Sequence, residues 1–334
     1  MIISTALQST PWPADAADEN EQASEIRSFT VSPAGHGLRL DKLLVEQVPE
    51  FSRNYLRQLI EAGAVQLDGR CVTKPAQAVR VGQTGQVELR PTPQSQAFRP
   101  EPMPIEVVFR DAHLLVIDKP PGLVVHPAAG HWSGTLLNGL LAADAQAAAL
   151  PRAGIVHRLD RDTSGLMVVA RSRVAMEALV ARIAAREVTR QYIALANRPW
   201  EGAARRHVDA PIGRDPRNRL RMAVVDLVRH PGKPARTLIE CLDSNSAGCV
   251  VRCTLETGRT HQIRVHMASI GHPLAGDALY GAAGKDEGIG RQALHAFRLG
   301  FVHPVTQEPM EFHSAVPDDL RRAILARGLN YNRA

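Results

Sequence analysis

The sequence predicts an α+β protein of two folded units, and three observations predict it. Residues 37–90 carry two short helix signals followed by small β segments. Pro91, Pro93, Pro100, Pro102 and Pro104, with polar residues between them, make 91–104 a semi-extended linker. Over 105–330 strand signals dominate, and several neighbouring strands are joined by links too short for a crossover helix. That predicts a mixed, mainly antiparallel sheet flanked by helices. A chain of 334 residues has ample length for both units and one large core.

Residues 1–30 are small, polar and interrupted by proline, with Asp15, Asp18, Glu19, Glu21 and Glu25 against Arg27, so an acidic disordered tail is expected there. Residues 41–47 read as a short helix. Ser52 is a good N-cap for a second, with Leu56, Leu59 and Ile60 on one face and Gly63 as its stop. Residues 65–67 run into Asp68-Gly69, a hairpin signal, and a short strand follows. Gly82 and Gly85 bracket another turn before 87–89. In the second unit strands are expected at 105–109 and 113–118, a helix over 135–143 and a buried strand at 166–171. An amphipathic helix over 174–187 should turn Met176, Leu179, Val180 and Ile183 inward. Strands at 191–196, 237–242 and 250–256 follow. Thr260 caps a helix running to Met267, and 293–301 is a further strand.

The net charge of +6 understates the basicity of the folded part, because the tail is acidic. A polyanionic partner fits that balance. No apolar run approaches the roughly 20 residues of a membrane helix. The first 27 residues lack the basic start and apolar centre of a secretory signal, so a cytoplasmic protein without membrane contact is expected. Cys71, Cys241, Cys249 and Cys253 form no C-x-x-C pair and read as reduced thiols. His261 and His266, five apart, fall on different faces of a helix, and no H-E-x-x-H is present, so no metal site is expected. The basic surface suggests a monomer.

Arg53 and Arg57, four apart, share a helix face, and Lys42, Arg70, Lys74 and Arg80 add charge nearby. A spaced arginine pair by itself is usually a solvated face; the hairpin signal and the detached basic module favour RNA. The stretches "LRLDKLL" and "SRNYLRQLIEAGAVQLDGRCV" resemble the S4 RNA-binding domain over about fifty residues. The resemblance implies that Lys42, Arg53, Arg57 and Lys74 meet RNA, where guanidinium groups can hold phosphates in bidentate fashion.

Gly154 to Ala170 is a short apolar strand, a polar stretch with two aspartates and two arginines, and a buried strand. Polar residues at a strand end are where active sites often form. An aspartate flanked by arginines, as Asp160 is, stays ionised and suits a nucleophile or base. Taken singly, Asp160 is equally an ion-pair partner, Asp162 beside Thr163 and Ser164 a turn or cap residue, and His157 a satisfied buried histidine.

Four ordered segments carry a resemblance: "VIDKPPGLVVHPAAG" from Val116, "HRLDRDTSGLMVVA" from His157, "RQYIAL" from Arg190 and "LETGRTHQIRVHMASIGHPLAGDALYG" from Leu255. Together they resemble the motifs of the RluA-type pseudouridine synthases, over nearly the whole chain from residue 37. The resemblance implies an S4-like domain joined to a pseudouridine synthase domain. It implies Asp160 as the catalytic aspartate and Arg158 as the arginine that enters the RNA stack when the base leaves. Tyr192 matches the tyrosine that stacks on uracil and helps remove the C5 proton, Arg264 the partner of the catalytic carboxylate, and Leu255 a wall of the base pocket. No cofactor is implied. "HPAAG", "RAGIVHRLD" and the S4 module look most like the family branch acting on 23S ribosomal RNA, at the helix 69 hairpin loop, so large-subunit RNA or its precursor is the expected partner.

Three alternatives stand beside this. The same chemistry can serve other ribosomal or transfer RNA uridines. A non-catalytic S4-type assembly factor would bind RNA only. A carboxylate-dependent glycosidase would need a second carboxyl, for which Asp162 is the near candidate.

Overall fold

The structure, a computed structural model, describes residues 25–90, 97–128, 130–218, 220–281 and 288–331. It divides into two compact units between Ala97 and Phe98. Residues 1–24 of the expected tail and 91–96 of the expected linker lie outside the described residues.

The N-terminal unit runs β1 (Glu25–Thr30), α1 (Leu40–Gln47), α2 (Arg53–Glu61), β2 (Val65–Leu67), β3 (Arg70–Cys71) and β4 (Thr84–Leu89). The strands form an antiparallel sheet in the order β1-β4-β2-β3. Ser52 caps α2 by accepting the Tyr55 N–H at 3.3 Å. Asp68 and Gly69 both have positive φ, as a primed hairpin turn requires. Leu40, Leu43, Leu44, Leu56, Leu59, Ile60, Val65 and Val87 make the core. Two expectations fail. Glu25–Thr30, assigned to the disordered tail, is a strand along the free edge of β4. Its charged composition hid it, for only Phe29 turns into the core while Arg27 pairs with Glu25 and Glu50 at the surface. Gly85 lies inside β4 and is not a turn residue.

The second unit contains β5 (Glu106–Arg110), β6 (Leu114–Lys119), α3 (Leu136–Ala143), β7 (Ser164–Ala170), α4 (Arg173–Ala185), β8 (Thr189–Ala196), β9 (Arg205–Asp209), β10 (Ile212–Arg214), β11 (Met222–Val224), β12 (Gly232–Lys233), β13 (Arg236–Asn245), β14 (Gly248–Leu255), α5 (Gln262–Ser269), β15 (Leu294–Val302), β16 (Pro309–His313) and α6 (Asp318–Ala326). Nine strands form one sheet, in the order β5-β6-β7-β15-β8-β14-β13-β9 with β16 also paired to β15. Every pairing is antiparallel except β7 with β15, as the sequence predicts for a mixed sheet. β10, β11 and β12 make a separate small sheet.

Alternation along the strands gives the sheet two buried faces. Leu115, Ile117, Met167, Val169, Tyr192 and Ala194 pack with α3 and α5. Leu114, Val116, Leu166 and Val168 pack with α4, and Ile193, Leu195 and Val250 with α6. β7 is buried at all seven positions, and after Ser164 it reads as an unbroken apolar run. Each such side chain contributes roughly 1.5–3 kcal/mol. This is the rigid floor from which the polar loop before β7 projects.

Two helix details depart from the expectation. Val180 is exposed, while Leu179 is buried and Met176 and Ile183 are partly so. The apolar stripe of α4 is too narrow to include a fourth side chain. The N-cap of α5 is His261, not Thr260; His261 has φ 57° and makes no side-chain cap bond. Among the described residues no helix is long and apolar enough to cross a membrane.

Candidate active site

The loop carrying His157, Arg158 and Asp160 enters β7 and is tied down from three sides. The Asp160 carbonyl accepts the Thr163 N–H at 3.1 Å, closing a tight turn. Lys119, only 1% exposed, donates to the carbonyls of Pro120 (2.8 Å), Leu123 (3.0 Å) and Arg161 (2.9 Å). Burial pulls its pKa down to about 7, against the opposing charges of Asp162 and Asp160. Arg291 donates to the Asp162 carbonyl at 3.0 Å and pairs with Asp319 at 2.7 Å. Behind the loop, His157 Nε2 accepts the Val168 N–H at 3.1 Å. Burial, with Arg190 nearby, pushes His157 down to about 3, so it is a neutral, half-buried histidine satisfied by the Val168 N–H. Asp162 pairs with its neighbour Arg161 at 3.0 Å and serves the turn.

Asp160 faces Arg264 of α5, whose Nη1 donates to Oδ2 at 3.1 Å. The other two nitrogens of Arg264 hold Asp277, at 2.7 Å from Nε and 2.9 Å from Nη2. Asp277 also accepts the N–H groups of Leu279 (3.0 Å) and Tyr280 (3.1 Å), and its side chain is fully buried. One carboxylate is therefore saturated. The other, 16% exposed, takes a single N–H from Arg264 and keeps its second oxygen free of hydrogen bonds among the described residues. Arg264, drawn up well above its ordinary range by Asp277 and Asp160 despite burial, stays cationic. Its guanidinium lies 5.0 Å from the Tyr280 ring centroid.

Tyr192 stands on β8 in the same buried face. Burial raises its hydroxyl to about 12; Arg190 opposes that rise and Asp160 adds to it. Leu255, at the end of β14, packs against the cluster that contains Tyr192. Arg158 is exposed, and its charge bears on His126 and His261. Asp160, Tyr192 and Arg264 are thus brought within electrostatic reach of one another, and the charge of Arg158 bears on His261 beside them.

In the N-terminal unit Lys42 and Lys74 are exposed. Arg57 lies 3.4 Å from Glu61. Arg53 is not a free fork: it donates to the buried Asp41 at 2.7 and 3.2 Å. Hydrogen bonds from Arg39, then Arg53, hold Asp41 down at about 2.

Sequence reasoning missed Asp277, Lys119 and Tyr280. Asp277 and Tyr280 lie in the last quoted motif, and Lys119 opens "KPPG", so the signal lay in strings already singled out. Tyr280 accepts the Met222 N–H at 2.9 Å and meets His261 Nδ1 at 2.8 Å, tying the small sheet to the start of α5.

The family described as RNA pseudouridylate synthase matches residues 113–269, and the S4 domain matches 38–84. The chain is 45% identical over 319 residues to the ribosomal large subunit pseudouridine synthase D of Neisseria meningitidis serogroup A, covering 92% of this chain and 83% of that one. It is 46% identical over 315 residues to the protein of the same name from Xanthomonas campestris, covering 91% and 93%. The solved structure of human RNA pseudouridylate synthase domain containing 1 superposes with a TM-score of 0.51 at 27% identity, over 64% of this chain and 86% of the human one.

Proposed function

Because the chain belongs to the RNA pseudouridylate synthase family, we propose that it converts uridines of large-subunit ribosomal RNA to pseudouridine with Asp160 as the reacting carboxylate. The arrangement that carries this reading is the shared guanidinium: Arg264 spends two donors on Asp277 and one on Asp160, leaving an aimed carboxylate with a free oxygen.

The reaction breaks the N1–C1′ bond and forms C5–C1′, while C5 loses a proton and N1 gains one. Nothing is oxidised and no group donor is consumed, so the chain's own side chains suffice. The target uridine must leave its stack, at a cost of a few kcal/mol, less in a hairpin loop. Arg158, exposed on the same loop as Asp160, fills the gap and holds phosphate. Cleavage develops positive charge on the sugar, which the Asp160 carboxylate stabilises. The Tyr192 ring and Leu255 give the detached uracil a flat, apolar seat, so it turns without escaping. The S4 domain, through Lys42, Lys74 and Arg57, supplies backbone affinity. The likeness to relatives named for the large subunit supports a target there, which we place at the helix 69 hairpin loop. The enzyme acts in the cytoplasm as a monomer.

Pseudouridine mapping in ribosomal RNA from cells lacking this protein tests the reading. Loss of pseudouridine at that loop, restored by the native chain and not by Asp160→Asn, is expected. An unchanged map would refute it.

A further inference from the structure

Arg190 is a buried cation without a partner. Only 6% of it is exposed, yet among the described residues its guanidinium makes no hydrogen bond or ion pair, and Nε is sealed from water with no acceptor. Buried charges are ordinarily paired, because an unpaired one costs several kcal/mol. The other buried arginines near the site obey that rule: Arg264 holds Asp160 and Asp277, and Arg291 holds Asp319. Arg190 breaks it two residues from Tyr192, on the same face of β8.

Its surroundings belong to the base seat. Tyr192 pairs with Cys253 and Gln191 with Thr254, so one further step of that register sets Leu255 opposite Arg190. The guanidinium reaches the turn before α5: a side chain at Gly258 would bring its Cβ within 2.9 Å of Nη1. The charge of Arg190 is felt by both Tyr192 and His157. The nearby carboxylate of Glu256 pairs with Arg186 at 3.7 Å, and among the described residues no ion pair joins a carboxylate to Arg190.

We propose that Arg190 is a further catalytic residue, whose partner is a carbonyl oxygen of the extruded uracil. This rests on the proposed function. When N1–C1′ breaks, the bonding pair leaves with the base, and the negative charge spreads over N1 and the adjoining carbonyl oxygens. A guanidinium that is largely buried and held by no competing acceptor donates to that oxygen more strongly after cleavage than before, which is the differential that lowers a barrier. Its charge also keeps the detached base from drifting while C5 turns toward C1′.

The test uses the full-length chain and a transcript spanning the target hairpin loop, and measures single-turnover pseudouridine formation, RNA Kd and Tm together. Arg190→Met keeps the length of the side chain and removes its charge. A rate roughly 100-fold lower is expected, with Kd within about twofold and Tm unchanged or higher, because the native charge has no partner to lose. Arg190→Lys, which restores a donor, should recover part of the rate. A rate within about threefold of native removes Arg190 from the chemistry. A Kd weakened by the same factor as the rate assigns it to an RNA phosphate instead. A fall in Tm shared by both variants makes its role structural. If the native chain itself forms no pseudouridine in this assay, the proposed function fails first and this inference with it.

Discussion

Arg264 donates to Asp160 at 3.1 Å from a helix that begins about a hundred residues further along the chain, and Asp277 fixes the angle at which it does so. Asp277→Asn keeps the shape of that anchor and removes its charge. Leaving a buried guanidinium with one weak partner should cost about 2–4 kcal/mol of stability. Turnover should fall at least about tenfold while RNA Kd changes little. Full activity in a chain carrying this change would mean that Arg264 needs no second carboxylate to aim it.

Asp160→Asn should yield a folded, RNA-binding protein that makes no pseudouridine. Arg264 retains Asp277, so the stability change should stay within about 1 kcal/mol. Thermal melting, gel-shift titration and a pseudouridine assay check the three parts, and normal turnover would remove Asp160 from the reaction.

Tyr192→Phe keeps the ring that seats uracil and removes the hydroxyl. A rate loss of about 10²–10⁴ with unchanged Kd is expected if the oxygen takes the C5 proton. The hydroxyl titrates near 12, so it is protonated at neutral pH, and a native rate that depends on its anion should climb with pH above neutrality. That climb should vanish in the Phe variant; an undiminished, parallel profile would restrict Tyr192 to stacking.

Asp41 links stability to pH in the N-terminal unit. Its folded pKa of about 2 lies below the ordinary 3.8, so the stabilisation is complete above pH 4 and is lost as pH falls toward 2. The full effect is about 2 kcal/mol. Hydrogen exchange at α1 and α2 amides of the full chain should quicken across that window, and Asp41→Asn should abolish the pH dependence.

Lys42→Ala with Lys74→Ala should weaken RNA binding and lower the slope of log K against log salt by about one to two. Arg53→Ala behaves differently. It releases Asp41, so it should lower the stability of its own unit as well as affinity. Equal melting of native and Arg53→Ala chains would show that Arg39 alone holds Asp41.

Much of this was legible in the chain. Core strands announced themselves by apolar runs, and the hairpin by Asp68-Gly69. What stayed hidden was polar or paired at long range. β1 carries charges on its exposed side, and β9 to β12 are short and mostly open to solvent, so neither periodicity nor propensity marked them. At the site, Asp160, Tyr192 and Arg264 were found through motif resemblance. Asp277 and Lys119 do their work on groups that no local pattern reveals: a guanidinium thirteen residues away and three backbone carbonyls. Arg190 looked like any strand-end arginine, and only the absence of a partner sets it apart.

The lone parallel pairing in the large sheet fixes when the enzyme can first work. Ser164 and Gly165 lie beside His295 and Ala296, and Gly165, at φ 114°, leaves no room for even a methyl group against the Ala296 carbonyl. The bed of the reactive loop is therefore supplied by residues made long after the loop itself. A ribosome still short of Leu294 is synthesising a protein that has its aspartate but nowhere to rest it, so each new molecule stays idle until β15 has emerged.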